Sequence, residues 1–227
     1  MSVQELFLLL NANNSAIEQY ASGNYLQGTR HIRLALSKLH GGLDNLVATA
    51  QHANSIPSGM GIFAHDLRTL QHLEKHFLGF YPSAYMLLDY ATAFPSQGLL
   101  NSKIAFTISL LFYNLGLGLQ ILAYDPKTSS SYLLEKARQF YQLCIASIPE
   151  TSGSQSQLDA LQASAALNLG SIHAFCWEPQ KFATCLQLVA RLVDQDQVIA
   201  DFPKETQRIQ KSVIAAKLID WSFAPAA

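Results

Sequence analysis

Residues 104–124, IAFTISLLFYNLGLGLQILAY, run between Lys103 and Asp125 without a single charged side chain. A helix of this composition has no polar face to turn to water, so it needs cover on every side, either from the rest of the chain or from lipid. About 20 residues are enough to span a bilayer. Two features favour cover by protein. Asn114 and Gln120 fall inside the run, and no cluster of Lys or Arg flanks it. Its central phrase, Asn114-Leu115-Gly116, also returns as Asn168-Leu169-Gly170 in ALNLGSIHAF, among helices apolar on one side as in a soluble bundle. We therefore expect a buried core helix and no membrane partner.

The rest of the composition says what has to cover such a helix. With 227 residues and 49% hydrophobic content, the chain can bury a sizeable core in one domain, or in one continuous stack of repeats. Charged residues make up 14%, against about 25% in an average soluble domain. A surface so poor in charge is expected to be covered in part by another protein or by a second copy. The 15 basic and 16 acidic side chains leave a formal charge of −1, which gives no footprint for nucleic acid. Cys144, Cys176 and Cys185 are odd in number and form no C-x-x-C pair, so neither a disulfide framework nor a zinc knuckle is expected. A reducing compartment fits. The opening MSVQELFLLLNANN lacks the basic start of a secretory signal, and Ser2 to Glu5 reads as a capping box. The expected location is cytoplasmic.

Turn signals divide the chain into helices, and the expected class is all-α in a single helical domain over 1–227. Helices are expected over 3–21 and 25–40, separated by Ser22-Gly23-Asn24, then over about 43–53 before SIPSG. The long apolar helix is expected over 101–123, stopped by Asp125-Pro126, and SSSYLLEKARQFYQLCIASI returns until Pro149. After the polar linker ETSGSQSQ, 157–176 and 180–194 form another pair around Trp177-Glu178-Pro179. A last helix, 203–222, spaces Ile209, Val213, Ala216 and Trp221 for burial while Lys204, Glu205, Arg208, Lys211 and Lys217 stay solvated, as a terminal cap would. Residues 54–100 are an aromatic-rich insertion without a clean helical period, in which two short extended segments around Pro82, a small β-hairpin, are as well supported as helix.

In the helix pairs, YNLGLGLQ with Gly116 is followed by the small Ala137, then Tyr141 and Cys144. The third pair repeats this with Asn168-Leu169-Gly170, Ala183 and Ala190, and the first keeps Gly23-Asn24-Tyr25 with Ala16, Gly28 and Ala35. These phrases resemble tetratricopeptide repeats, whose period is 34 residues and whose helices approach through small residues at fixed places. The units fall at about 3–40, 101–148 and 157–194, and the resemblance covers about 110 to 120 residues. Asn114 and Asn168 are 54 apart, so the turn at 124–131 and the linker after Pro149 hold extra residues. On this resemblance, the repeated Asn-Leu-Gly phrase marks close helix packing. It further implies a right-handed stack whose concave side grips a peptide or a partner's helix. The groove-facing places are then Asn13, Ile17 and Tyr20, next Tyr113, Leu117 and Gln120, next Leu167, Ser171 and Ala174. None is charged, so an apolar helix or extended segment is a better ligand than a free carboxylate.

No catalytic residue, metal ligand set or cofactor is expected. His65, His72 and His76 would share a face if 65–76 were helical, but the H-E-x-x-H order is absent, and in an extended segment the alignment disappears. Cys144 and Cys185 sit on apolar faces, where cysteine is an inert small hydrophobe. There is no phosphate loop, and GLGL at 116–119 lies inside a helix. The expected function is a non-enzymatic protein-protein interaction scaffold or assembly subunit. Two other readings stay open from sequence: a metal-dependent helical hydrolase using the three histidines, and a membrane-associated complex subunit seated by 104–124.

Overall fold

The computed structural model describes residues 2–39, 48–49, 60–67, 81, 83–89, 97–148, 156–193, 207 and 210. The elements are α1 (Val3–Ala21), α2 (Tyr25–Lys38), β1 (Met60–Asp66), β2 (Ser83–Asp89), α3 (Gln97–Tyr124), α4 (Ser131–Ser147), α5 (Ser156–Phe175) and α6 (Pro179–Val193). The described residues are thus mostly helical, with one two-stranded sheet. Ala48 and Thr49 are helical within the expected 43–53, and Gln207 and Gln210 within the expected cap; the rest of those two segments lies outside the described residues.

α1 starts where the sequence signals it. Ser2 Oγ accepts from the Glu5 N–H at 3.2 Å and Glu5 returns to the Ser2 N–H, so two helix-end donors are satisfied reciprocally. Its buried stripe, Leu6, Leu9, Leu10, Asn13, Ala16, Ile17 and Tyr20, follows the spacing of one helix face. At the other end Gly23 takes φ +80 and Asn24 N–H reaches Gln19 O, a left-handed cap that reverses the chain into α2. The turn between α5 and α6 repeats this geometry with Trp177 at φ 55, where a side chain costs ~1–2 kcal/mol that glycine would not.

α3 is the axis of the molecule. Every residue from Lys103 to Tyr124 is buried, as an uncharged helix requires, with α1 and α2 of the preceding pair, its own partner α4, and α5 of the following pair packed on it. Among the described residues it is the one helix long and apolar enough to cross a membrane, and its apolar window lies wholly inside the fold. It begins at Gln97, four residues before the expected Asn101 and inside the expected insertion.

Glycines allow the close approaches. A Cβ on Gly116 would meet the Tyr141 ring at 3.0 Å, so the face of Gly116 receives Tyr141 of α4. A Cβ on Gly118 would fall 2.2 Å from Tyr20 Oη, and one on Gly28 would fall 2.7 Å from Ala16 O. Gly170 packs on Cys185 of α6 in the same way.

The strands pair antiparallel, from Met60 opposite Asp89 to Asp66 opposite Ser83, and β2 lies against α1 and α3. Residues 67–82 separate them, so the pair is not a tight hairpin. Of the six aromatics of the insertion between Phe77 and Phe94, Tyr81 and Tyr85 are among the described residues and both are buried in the helical core.

Candidate functional site

Antiparallel pairing leaves β2 one free edge. The N–H and C=O groups of alternate residues point to that edge, so Ser83 and Tyr85 present their main-chain groups together, and Tyr81 precedes them at the same spacing. In a soluble sheet such an edge would face water or another strand. Here it faces three asparagines, one from each of α1, α3 and α5.

Asn114 Oδ1 accepts from the Tyr85 N–H at 3.0 Å while its Nδ2 donates to Tyr85 O at 2.9 Å. Asn13 Nδ2 donates to the same carbonyl at 3.0 Å, and Asn114 Nδ2 also reaches Asn13 Oδ1 at 2.7 Å. Toward the start of the strand, Asn168 Oδ1 accepts from the Tyr81 N–H at 2.6 Å and its Nδ2 donates to Tyr81 O at 3.2 Å. Between them, the Tyr113 hydroxyl donates to Ser83 O at 2.7 Å. The helices therefore read the strand as a third strand would. Its direction opposes the order of the helices, from Asn168 of α5 at Tyr81 to Asn13 of α1 at Tyr85.

A second layer holds this row in place. The Tyr85 ring lies 5.2 Å from that of Tyr113, and its hydroxyl pairs with Ser164 Oγ at 2.7 Å. Tyr20 Oη donates to Asn114 O, which fixes α3 against α1. Gln120 donates to Ser171 Oγ at 2.6 Å and to Tyr124 Oη at 2.9 Å, and accepts from Tyr141 Oη at 2.8 Å. Burial pushes the phenols of Tyr20, Tyr85, Tyr113 and Tyr141 well up, and that of Tyr124 up to about 12, so all five remain O–H donors. Burial likewise raises the Cys144 thiol, and Cys185 to about 11. These groups can hold a chain; they offer no thiolate or poised base.

Eight of the nine expected groove residues are buried. Asn13 and Tyr113 bond the strand, Tyr20 bonds Asn114 O, and Gln120 and Ser171 bond each other. Ile17, Leu117 and Leu167 fill the core beside them, and Ala174 is half-buried. Asn114 and Asn168, read from sequence as packing positions, are instead the residues that grip the main chain twice each. The signal was there: a buried side-chain amide repeated at one place in two helices needs polar partners, and a main chain supplies both kinds.

His65 lies on β1, not on a helix, so its expected alignment with His72 and His76 does not form; those two lie outside the described residues. Among the described residues no group of three or more His, Cys, Asp or Glu could hold a metal. Away from the strand, an open cleft of about 920 Å³ runs between α4, α5 and α6, lined by Ile145, Gln162, Leu169, Cys185 and Leu188 among others. No protein-family model, curated protein or solved structure matches this chain.

Proposed function

We propose that the protein is a non-enzymatic interaction module, a scaffold or assembly subunit, built as a tetratricopeptide-like stack whose concave side takes an extended protein segment. One observation carries the reading: Asn114 and Asn168, at matching places in two helices, and Asn13, one place earlier in a third, all bond the main chain of one extended segment. Bonds to main-chain groups accept any sequence of suitable shape, which suits a groove for partners more than a core serving one fixed segment. The glycines that let α3 meet Tyr20 and Tyr141 support the repeat-like packing. A charged content of 14% supports surface covered by another protein or a second copy, and three free cysteines suit a reducing compartment.

The test is affinity capture of the tagged full chain from its native cells, followed by crosslinking and mass spectrometry. The reading expects a stoichiometric partner with crosslinks to residues of α1, α3 or α5. A protein recovered alone and monomeric contradicts it.

A further inference from the structure

We infer that strand β2 is a built-in occupant of the groove, holding the place of a partner's extended segment that carries two tyrosines four residues apart. This rests on the groove reading above and adds the chemistry of the ligand and the state of the site.

The occupied groove defines what fits it. Main-chain groups at the first, third and fifth residues meet Asn168, the Tyr113 hydroxyl and Asn114. The fifth side chain enters a pocket where its ring meets Tyr113 and its hydroxyl meets Ser164 Oγ at 2.7 Å. A phenylalanine there would leave that hydroxyl pairing unmade. The first side chain, Tyr81, is equally enclosed at 1% exposure, and Ser83 and Ala84 between them are at 2% and 0%, so their places in the segment are buried and suit small uncharged residues. The matching partner segment is therefore Tyr-x-small-small-Tyr, extended and without charge in its middle.

Displacement of the occupant requires that the helices hold together while Tyr81, Ala84 and Tyr85, which share their buried core, are exchanged for like residues. α2 packs directly on α3, and α3 on α4 and α5, so the helices form a continuous body without either strand. Of the occupant, the asparagines hold main-chain groups, and an incoming strand offers the same groups at the same spacing. The second edge of β2 is satisfied by β1, which leaves the groove with it. A tethered occupant competes at an effective concentration on the order of millimolar, so a free segment binds weakly until the internal strand is loosened. Apparent affinity then rises in proportion to the fraction of open groove.

The experiment uses the full chain and a fluorescein-labelled synthetic peptide of residues 80–89, FYPSAYMLLD, read by anisotropy on protein whose circular dichroism shows intact helices. Tyr85→Ala, which weakens the internal strand and replaces none of the residues that would hold the peptide, should bind the peptide at least tenfold more tightly than the wild type. Adding Asn114→Ala to it should abolish that gain, and a peptide with both tyrosines replaced by alanine should bind at least tenfold more weakly. Folded Tyr85→Ala that binds no better than wild type overturns the inference. Equal binding of the alanine peptide overturns the tyrosine requirement while leaving the main-chain groove standing. If Tyr85→Ala does not fold, the wild type decides the matter by hydrogen exchange. Amides of 83–89 should exchange at least tenfold faster with millimolar peptide present, and unchanged exchange overturns the inference.

Discussion

The side-chain amide of Asn114 makes a two-point bond to the main chain of Tyr85, accepting its N–H at 3.0 Å and donating to its carbonyl at 2.9 Å. Asn114 is fully buried, so each of these groups would be stranded away from water if the amide were removed. A stranded buried group costs ~1–3 kcal/mol. Asn114→Ala should therefore lose about 3 kcal/mol or more, measured by urea unfolding. Asn14→Ala, on a half-buried neighbour, should lose under about 1 kcal/mol.

The glycines of α3 form a graded series. A methyl on Gly98 meets nothing within 4 Å, one on Gly116 meets the Tyr141 ring at 3.0 Å, and one on Gly118 meets Tyr20 Oη at 2.2 Å. Tyr20 is held by its bond to Asn114 O and cannot swing aside cheaply. Thermal melts should rank the alanine variants Gly98, Gly116, Gly118 from harmless to most damaging. Gly116→Leu should cost about 1 to 3 kcal/mol or more by overpacking. Equal melts for Gly98→Ala and Gly118→Ala would contradict the packing.

Much of this arrangement could be read from the chain alone. The uncharged run from Ile104 to Tyr124 demands a helix covered on all sides, and turn residues such as Gly23 fix the helix ends to within a few residues. The start of α3 was misplaced because Gln97 to Leu100 follow an aromatic stretch with no helical period. The strand beside the asparagines is not legible there, since long-range pairing of Asn168 with Tyr81 leaves no local mark. Even so, the nine places that the repeat resemblance points to include Asn13 and Tyr113, which touch the strand. From sequence, Asn114 and Asn168 read as packing positions because the glycines two places on, Gly116 and Gly170, serve packing.

Tyrosine ionisation reports the same core. Burial raises Tyr20, Tyr85, Tyr113, Tyr124 and Tyr141, five of nine tyrosines. At pH 11 the native protein should show the 295 nm absorbance of at most four phenolates, and the denatured protein that of about eight. Because the folded pKa values lie above the unfolded value near 10, the fold keeps protons that the unfolded chain releases. Stability should therefore fall as pH rises past 10.

Acid acts through Glu178. Its carboxylate accepts from Lys181 at 2.8 Å and pairs with His173 at 2.5 Å, and the Lys181 bond above all holds it down from 4.5 to about 2. The folded state thus binds fewer protons than the unfolded one between those values. Glu178's contribution is complete above about pH 4.5 and lost as pH falls toward 2. Burial lowers His173 despite the neighbouring carboxylate, which adds to the loss in acid. The melting-temperature gap between wild type and Glu178→Gln should be widest near pH 6 and close by pH 2. A constant gap across that range would mean the cluster does not titrate as described.

Whether helix side chains take the place of a neighbouring strand is decided by amide exchange at Tyr85. Its N–H points to Asn114 Oδ1, while its cross-strand neighbour Ala64 offers it nothing on that edge. Residue-resolved hydrogen exchange by NMR should find the Tyr85 amide protected at least a thousandfold in the wild type. In folded Asn114→Ala that protection should fall at least tenfold more at Tyr85 than at the amides of α4. A Tyr85 amide that exchanges freely in the wild type, or that ignores the substitution, would contradict the account.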